Sequence, residues 1–279
     1  MASCTPNTGT DVSVDYDDPV MGAVAKTCAL IAALASLAWV YPQGIMKNNL
    51  TIPFWKDDHT SAGNQTITKS FWKEGSTFIH AHSSDPGEIW PAVYEKAYAK
   101  WQNGSEICDM SLLASIKWPG NGVTALMRLT GWKDSDTTGV SYTHATASYA
   151  NGSAIYNDIV SKYVGAGTNS SYQVKYPGTA WTTAGNPGLG ITANHEYSIL
   201  GVYTKSNVQY IVLRNPKGAS PPSSGLLDNS ASWQVSYKNY QHGNAVTGAT
   251  TKTVPLSNGT FALKLDAFKS YFNAFGFVK

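Results

Sequence analysis

Three cysteines, Cys4, Cys28 and Cys108, are the residues here with the most chemistry to offer. They are too few and too widely spaced for a zinc cluster or a disulfide framework, and an odd number leaves at least one thiol unpaired. Cys28 opens the run Cys-Ala-Leu-Ile-Ala-Ala-Leu-Ala-Ser-Leu-Ala-Trp39, a string of good helix formers. A thiol is a nucleophile only as its thiolate, and the partial positive charge at a helix N-terminus lowers its pKa. Taken alone, a cysteine in this setting is more often an ordinary small buried hydrophobe. His195 sits in an alternating strand, where a satisfied structural histidine is the default, and Asn215 before Pro216 reads as a turn residue. Arg214 reads as a structural ion-pair partner. His80 and His82 alternate on an expected strand, so both rings project to one face, but no third ligand stands near them for a metal.

The elements that position these residues change character along the chain. Met1 to Val14 is polar and reads as a loose lead-in. The Cys28 helix is apolar on every side, which marks it as buried. Between Leu50 and His82, short β-prone runs are separated by Asp58, Gly63-Asn64 and Gly75, as in a meander. Glu88 to Trp101 has helical spacing with one apolar face and stops at Gly104; a shorter helix is expected around Val123 to Leu129. From Lys133 onward, turns punctuate strands such as Glu196–Tyr203 and Val208–Arg214, with a helix between Ala150 and Tyr163. Thr260 to Phe277 reads as a strand followed by a short amphipathic helix.

Bulk properties narrow the possible functions. The chain has 279 residues, 42% of them hydrophobic, which is ample for one large domain or two lobes. With 20 Lys+Arg against 18 Asp+Glu and no basic block, nucleic-acid binding is not expected. The apolar run from Ala29 to Val40 is too short to cross a bilayer, and acidic residues stand where a secretory leader would be basic. No membrane role is expected, and the lack of a leader favours a cytoplasmic chain over an exported one whose leader has been removed. Six N-x-Ser/Thr sequons, at Asn49, Asn64, Asn103, Asn151, Asn169 and Asn258, speak for export, but in so Asn-rich a chain chance accounts for most of them.

Several segments, in order, resemble the catalytic core of the calpain family. Cys28-Ala-Leu-Ile-Ala-Ala-Leu-Ala-Ser-Leu is similar to the family's stretch around its nucleophile. Trp90, then Glu95-Lys-Ala-Tyr-Ala-Lys100 and Gly104, match one of its most specific signatures, and Leu129-Thr-Gly131 resembles the close of its first lobe. His195-Glu-Tyr-Ser-Ile and Leu213-Arg-Asn-Pro-Lys-Gly218 resemble the segments bearing the family's histidine and asparagine. Asp228, Ser230 and Trp233, and then Gly259-Thr-Phe with Asp266 and Phe268, follow the later motifs. The resemblance implies an α+β, papain-like two-lobe fold, with a helical lobe over 1–134 and a β-rich lobe over 135–279. It implies a Cys28, His195, Asn215 triad that hydrolyses peptide bonds in peptide or protein substrates through an acyl-enzyme, with a thiolate–imidazolium pair at rest. Two alternatives share these residues: an acyltransferase or peptide cyclase, and an inactive peptide-binding homologue. No cofactor or metal is expected.

Departures from the family pattern bear on activity. Met21 stands where the family's oxyanion glutamine is expected, and methionine cannot donate; Gln43 lies beyond the helix. Losing one oxyanion donor costs on the order of a hundredfold or more in rate. Ala29 and Lys217 replace two tryptophans, which puts solvent exclusion in doubt. Asn194 and Glu196 replace the small residues flanking the histidine. The resemblance maps Glu95 onto a calcium position, but the loop Ala219-Ser-Pro-Pro-Ser-Ser224 lacks the carboxylates that calcium prefers, so activity is expected without it.

Overall fold

In the computed structural model the described residues are 3–7, 14–22, 27–46, 48–74, 77–85, 88–135, 139, 141–168, 170–185, 188, 190–221 and 224–279. Three helices organise the first half. Helix α1 (Cys28–Val40) is buried at every position after Cys28. A run of Ala and Leu without charge has no face to give to water, so it can only be an interior helix. Helix α2 (Trp90–Asn103) carries Pro91 in its first turn, where the missing N–H is harmless, and ends at Gly104, whose φ of 79° is left-handed. Sequence periodicity suggests one buried face, but Trp90 through Ala99 are all buried. The polar members of this helix find interior partners: Glu95 Oε2 accepts from the Ala81 N–H at 2.8 Å, and Lys96 pairs with Glu106. Helix α3 (Gly122–Thr130) is capped by Asn121, whose side chain accepts from the Thr124 N–H at 2.8 Å.

Thr51–Trp55 pairs antiparallel with Ser61–Thr66, and Ser70–Glu74 lies between Ser3–Pro6 and Thr77–Phe78. Three sequence readings need correction. Gly63-Asn64 is not a separator; it lies within a strand, and the chain turns instead over Lys56–Thr60, where the Lys56 N–H meets the Thr60 carbonyl at 2.9 Å and Asp58 Oδ1 accepts from the Thr60 N–H at 2.9 Å. Ser3–Pro6 is a strand, not part of a loose lead-in. Cys4 is disulfide-bonded to Cys108 across 104 residues, leaving Cys28 as the free cysteine. Strand pairing and disulfide alike depend on distant partners, which local composition does not reveal.

The second half is built on a seven-stranded antiparallel sheet. Its strands are β1 (Thr143–Ala145), β2 (Val164–Thr168), β3 (Ser171–Thr182), β4 (Glu196–Lys205), β5 (Val208–Arg214), β6 (Thr260–Lys264) and β7 (Phe272–Phe277). Their order is β6-β5-β4-β3-β7-β1, with β2 on β3. Helices α4 (Gly152–Lys162) and α5 (Leu265–Tyr271) pack on each other beside it. The chain does not finish on a helix. After α5 it returns as β7, which enters the middle of the sheet with Phe275 opposite Ala180 on one side and His144 on the other.

Beside a smaller one around Trp72 and Ile107, two large clusters of buried apolar side chains form among the described residues. One gathers Leu30, Leu34, Phe54, Trp90, Tyr98 and Leu126; the other gathers Trp39, Ile199, Val212, Phe261 and Phe272. Helix α1 contributes to both and is fastened to the sheet by hydrogen bonds, three of them short. The Ser198 hydroxyl donates to the Ala32 carbonyl, the Gly178 N–H to Ser36 Oγ, and the Trp39 indole N–H to the Leu200 carbonyl, each at 2.7 Å. Polar groups buried in this way would cost about 1–3 kcal/mol apiece without partners. The helix that begins at Cys28 therefore has one seating on β3 and β4.

Candidate active site

Cys28 is the first residue of α1, directly after Thr27, whose carbonyl accepts the first helical bond from the Ile31 N–H at 3.0 Å. The Cys28 N–H is thus one of the donors that a helix start leaves without an intrahelical partner. Cys28 keeps partial exposure where the rest of α1 is buried.

His195 is held from both sides of its backbone. Its N–H donates to Thr182 Oγ1 at 3.0 Å, its carbonyl accepts from the Thr182 N–H at 3.0 Å, and the Asn194 N–H reaches the Thr183 carbonyl. Asn194 has a φ of 46°, and asparagine tolerates this left-handed region better than most side chains. Strands β4 and β5 set Ser198 opposite Arg214, which brings Asn215, directly after β5, within side-chain reach of His195, directly before β4. Asn215 Oδ1 accepts from His195 Nε2 at 2.9 Å. The orientation of the Asn215 amide is decided by its other bonds: Nδ2 donates to the Ala219 carbonyl at 2.8 Å, and Oδ1 also accepts from the Lys217 N–H at 3.0 Å. With Oδ1 facing it, Nε2 carries the proton and Nδ1 is left as the basic ring nitrogen. Arg214, wholly buried, donates to the Asp17 carbonyl at 2.5 Å and has no ion-pair partner among the described residues, in place of the ion pair that the sequence suggests.

Cys28 and His195 line one cavity of about 400 Å³, together with Ala29, Asn121, Trp181 and Glu196. Burial pushes the Cys28 thiol up; the Glu196 backbone N–H pulls it down, and the Glu196 carboxylate pushes it up again. Burial also pushes His195 down to about 4, with its bond to Asn215 acting in the opposite direction. Both groups are thereby biased toward their neutral forms, in contrast to the resting ion pair that the resemblance implies. Glu196 is pushed up to about 7 by burial, moderated by Thr179 and the Gly122 N–H, the latter donating to Oε1 at 2.9 Å. Its position at the start of α3 is one where a helix favours negative charge.

The other sequence candidates fall into place around this centre. The Met21 side chain packs on the first apolar cluster while its N–H donates to the Pro216 carbonyl at 2.7 Å; residues 23–26, between it and Cys28, lie outside the described residues. Gln43 sits beyond the far end of α1, about 20 Å from Cys28 by helix rise, too far to reach its site. Lys217 is exposed, yet His195 and Asn215 stay 5% and 3% exposed, so removal of the tryptophan has not opened this pair to water. His80 is buried with Nδ1 3.4 Å from Glu95 Oε2, whereas His82 Nδ1 lies 3.0 Å from the His80 carbonyl, so the two rings do not share a ligand.

Glu95, committed to Ala81 and His80, is not in the one group of three carboxylates among the described residues, Asp18, Asp85 and Glu88. Asp18 Oδ2 there already accepts from the Asp15 N–H at 2.7 Å and the Trp90 indole at 3.1 Å, and burial pushes Asp18 up to about 7. Asn194 and Glu196, which sequence reading places beside the histidine as residues that reshape the cleft, both line the cavity, whereas Asn121 escaped sequence reasoning as a member of its wall.

A family model described as calpain family cysteine protease matches residues 18–279. The chain is 25% identical over 276 residues to a thiol protease of Porphyromonas gingivalis (strain ATCC BAA-308 / W83), covering 91% of this chain and 53% of that protein. It is 25% identical over 269 residues to calpain-9 of Homo sapiens, covering 88% of this chain and 34% of that protein. The chain thus spans about half the length of one curated relative and about a third of the other.

Proposed function

The chain belongs to the calpain family of cysteine proteases, and on that basis we propose that it is a peptidase acting through a Cys28, His195, Asn215 triad without calcium. One observation carries this: Cys28 and His195 line the same cavity while His195 Nε2 is hydrogen-bonded to Asn215. The apolar cluster around α2 and α3, and that of the sheet, are read as two lobes, 1–134 and 135–279, with the cavity between them.

Burial favours the neutral thiol and imidazole at rest, so proton transfer accompanies attack. The Cys28 sulfur bonds to the substrate carbonyl carbon as its proton passes to His195 Nδ1, and the carbonyl electrons move onto oxygen, where the Cys28 N–H donates. The C–N bond then breaks, and the imidazolium returns the proton to the departing amine. Water, deprotonated by His195, attacks the thioester; the C–S bond breaks and the thiol regains its proton. Asn215 holds the ring so that Nδ1 faces the reacting atoms.

The test is an epoxide or vinyl-sulfone peptide inactivator in chelator at neutral pH, with adducts located by mass spectrometry. An adduct on Cys28 that is lost in His195→Ala supports the triad, and hydrolysed rather than transferred products separate peptidase from acyltransferase. A Cys28 thiol without enhanced reactivity overturns the proposal and favours the binding-only reading that Met21 suggests.

A further inference from the structure

The Glu196 carboxyl belongs to the same cavity but has no part in the steps above. It is 4% exposed, it lines the cavity with Cys28 and His195, and its Oε1 takes the Gly122 N–H at 2.9 Å. The surroundings add no positive charge. From α1 it meets Cys28, from its own strand His195, from the start of α3 Asn121 and Gly122, and from β3 Thr179 and Trp181. Asn273 on β7 and Asn194 complete the wall, and Lys217, whose field reaches His195, is exposed outside it. Glu196 is the one carboxylate among the described cavity residues, and no lysine or arginine lines the cavity with it.

Resting on the peptidase reading, we propose that Glu196 is a specificity residue: it recognises a cationic side chain, lysine or arginine, of a peptide bound across this cavity. A buried carboxylate without a counter-charge is unfavourable in the free protein. A substrate cation supplies that counter-charge, whereas a neutral side chain of the same length leaves the carboxylate unpaired. Specificity built on a buried charge is correspondingly steep. Burial holds Glu196 up to about 7, so the unliganded site is largely protonated at pH 5 and largely ionised at pH 8. The preference for a cation therefore strengthens as pH rises through neutrality. The cation also cancels the upward push of the Glu196 carboxylate on the Cys28 thiol, so binding the preferred substrate favours the nucleophilic form.

The experiment uses paired peptide vinyl sulfones that differ only in lysine against norleucine, at one position at a time near the electrophile. The rate of Cys28 adduct formation is read at pH 5 and pH 8. In parallel, calorimetry measures binding of the matching unreactive peptides to Cys28→Ala, with and without Glu196→Gln. The expected lysine-to-norleucine ratio is about tenfold or more at pH 8, shrinking toward one at pH 5 and, in Glu196→Gln, near one at both. Glutamine keeps an oxygen for the Gly122 N–H, and a thermal melt checks that the variant folds; if it does not, the pH dependence of the unaltered chain decides. Equal labelling of Cys28 by both probes, or a lysine preference that survives Glu196→Gln, overturns the inference and leaves the peptidase reading standing. No labelling, together with a Glu196-dependent lysine preference in binding, supports the inference and sinks the peptidase reading. No labelling and no preference in binding overturns both.

Discussion

His80 with Glu95 in the first half of the chain and His195 with Glu196 in the second are two buried histidine and glutamate couples with opposite wiring. In the first, imidazole and carboxylate face each other at 3.4 Å, with the Trp72 ring 4.9 Å from His80. In the second, neighbours in sequence take different partners: His195 a neutral amide, Glu196 a backbone N–H at a helix start. His80, buried against Glu95 and outside the cavity lining, sits in the bend before His82–Ser83 and ties that bend to α2. A histidine oriented by an amide and opening onto a cavity keeps a basic nitrogen for chemistry.

The largest effect expected from this contrast is kinetic. Replacing His195 by Ala should lower kcat/KM by about 10⁴-fold or more with the melting temperature little changed. His80→Ala should do the reverse, lowering the melting temperature while the folded fraction keeps its kcat. Glu95→Ala comes next: it strands the Ala81 N–H and removes the carboxylate facing His80, for an expected loss of about 1–3 kcal/mol in denaturant unfolding. A loss under about 1 kcal/mol would mean that the two couples are wired more alike than the geometry indicates.

Stability against pH separates the two couples further. Glu196, raised in the folded chain to about 7, contributes stability that is fully present below its unfolded value near 4.5 and lost as pH rises through 7. Glu196→Gln should therefore be more stable than the parent at pH 8, by about 2–3 kcal/mol, and gain little at pH 4.5. His195 acts with the opposite sign: lowered to about 4, it makes the fold lose stability as pH falls from about 6.5 to 4, and His195→Ala should flatten that limb. The smallest effect is expected from Asn215→Ala, about 10- to 100-fold in kcat, provided its Gly259 backbone bond survives; peptide turnover and circular dichroism together check both points.

Much of this arrangement is legible in the order of residues. An uncharged Ala and Leu run can only be an interior helix, and its first residue is a thiol at a helix start. The extended character of β4 and β5 is plain from their β-branched and aromatic residues, and as a hairpin they place His195, before β4, within side-chain reach of Asn215, after β5. The burial of α2 is not legible, because Glu95 and Lys96 look like solvent residues until Ala81, His80 and Glu106 arrive from elsewhere. Nor is the strand Phe272–Phe277, whose aromatic content suits a helix face as well as a central strand.

Residue order thus dictates which segments are helical or extended, that the thiol of Cys28 begins a buried helix, and which family's order of motifs the chain follows. Folding in three dimensions is what brings Cys4 to Cys108, keeps His195 and Asn215 dry beside an exposed Lys217, and makes Glu196 a buried acid on the cavity wall. The physical reason is that helix and strand preferences are set by neighbours in the chain. Desolvation and hydrogen-bond partners, which govern reactivity, come from whatever distant segments fold against a residue.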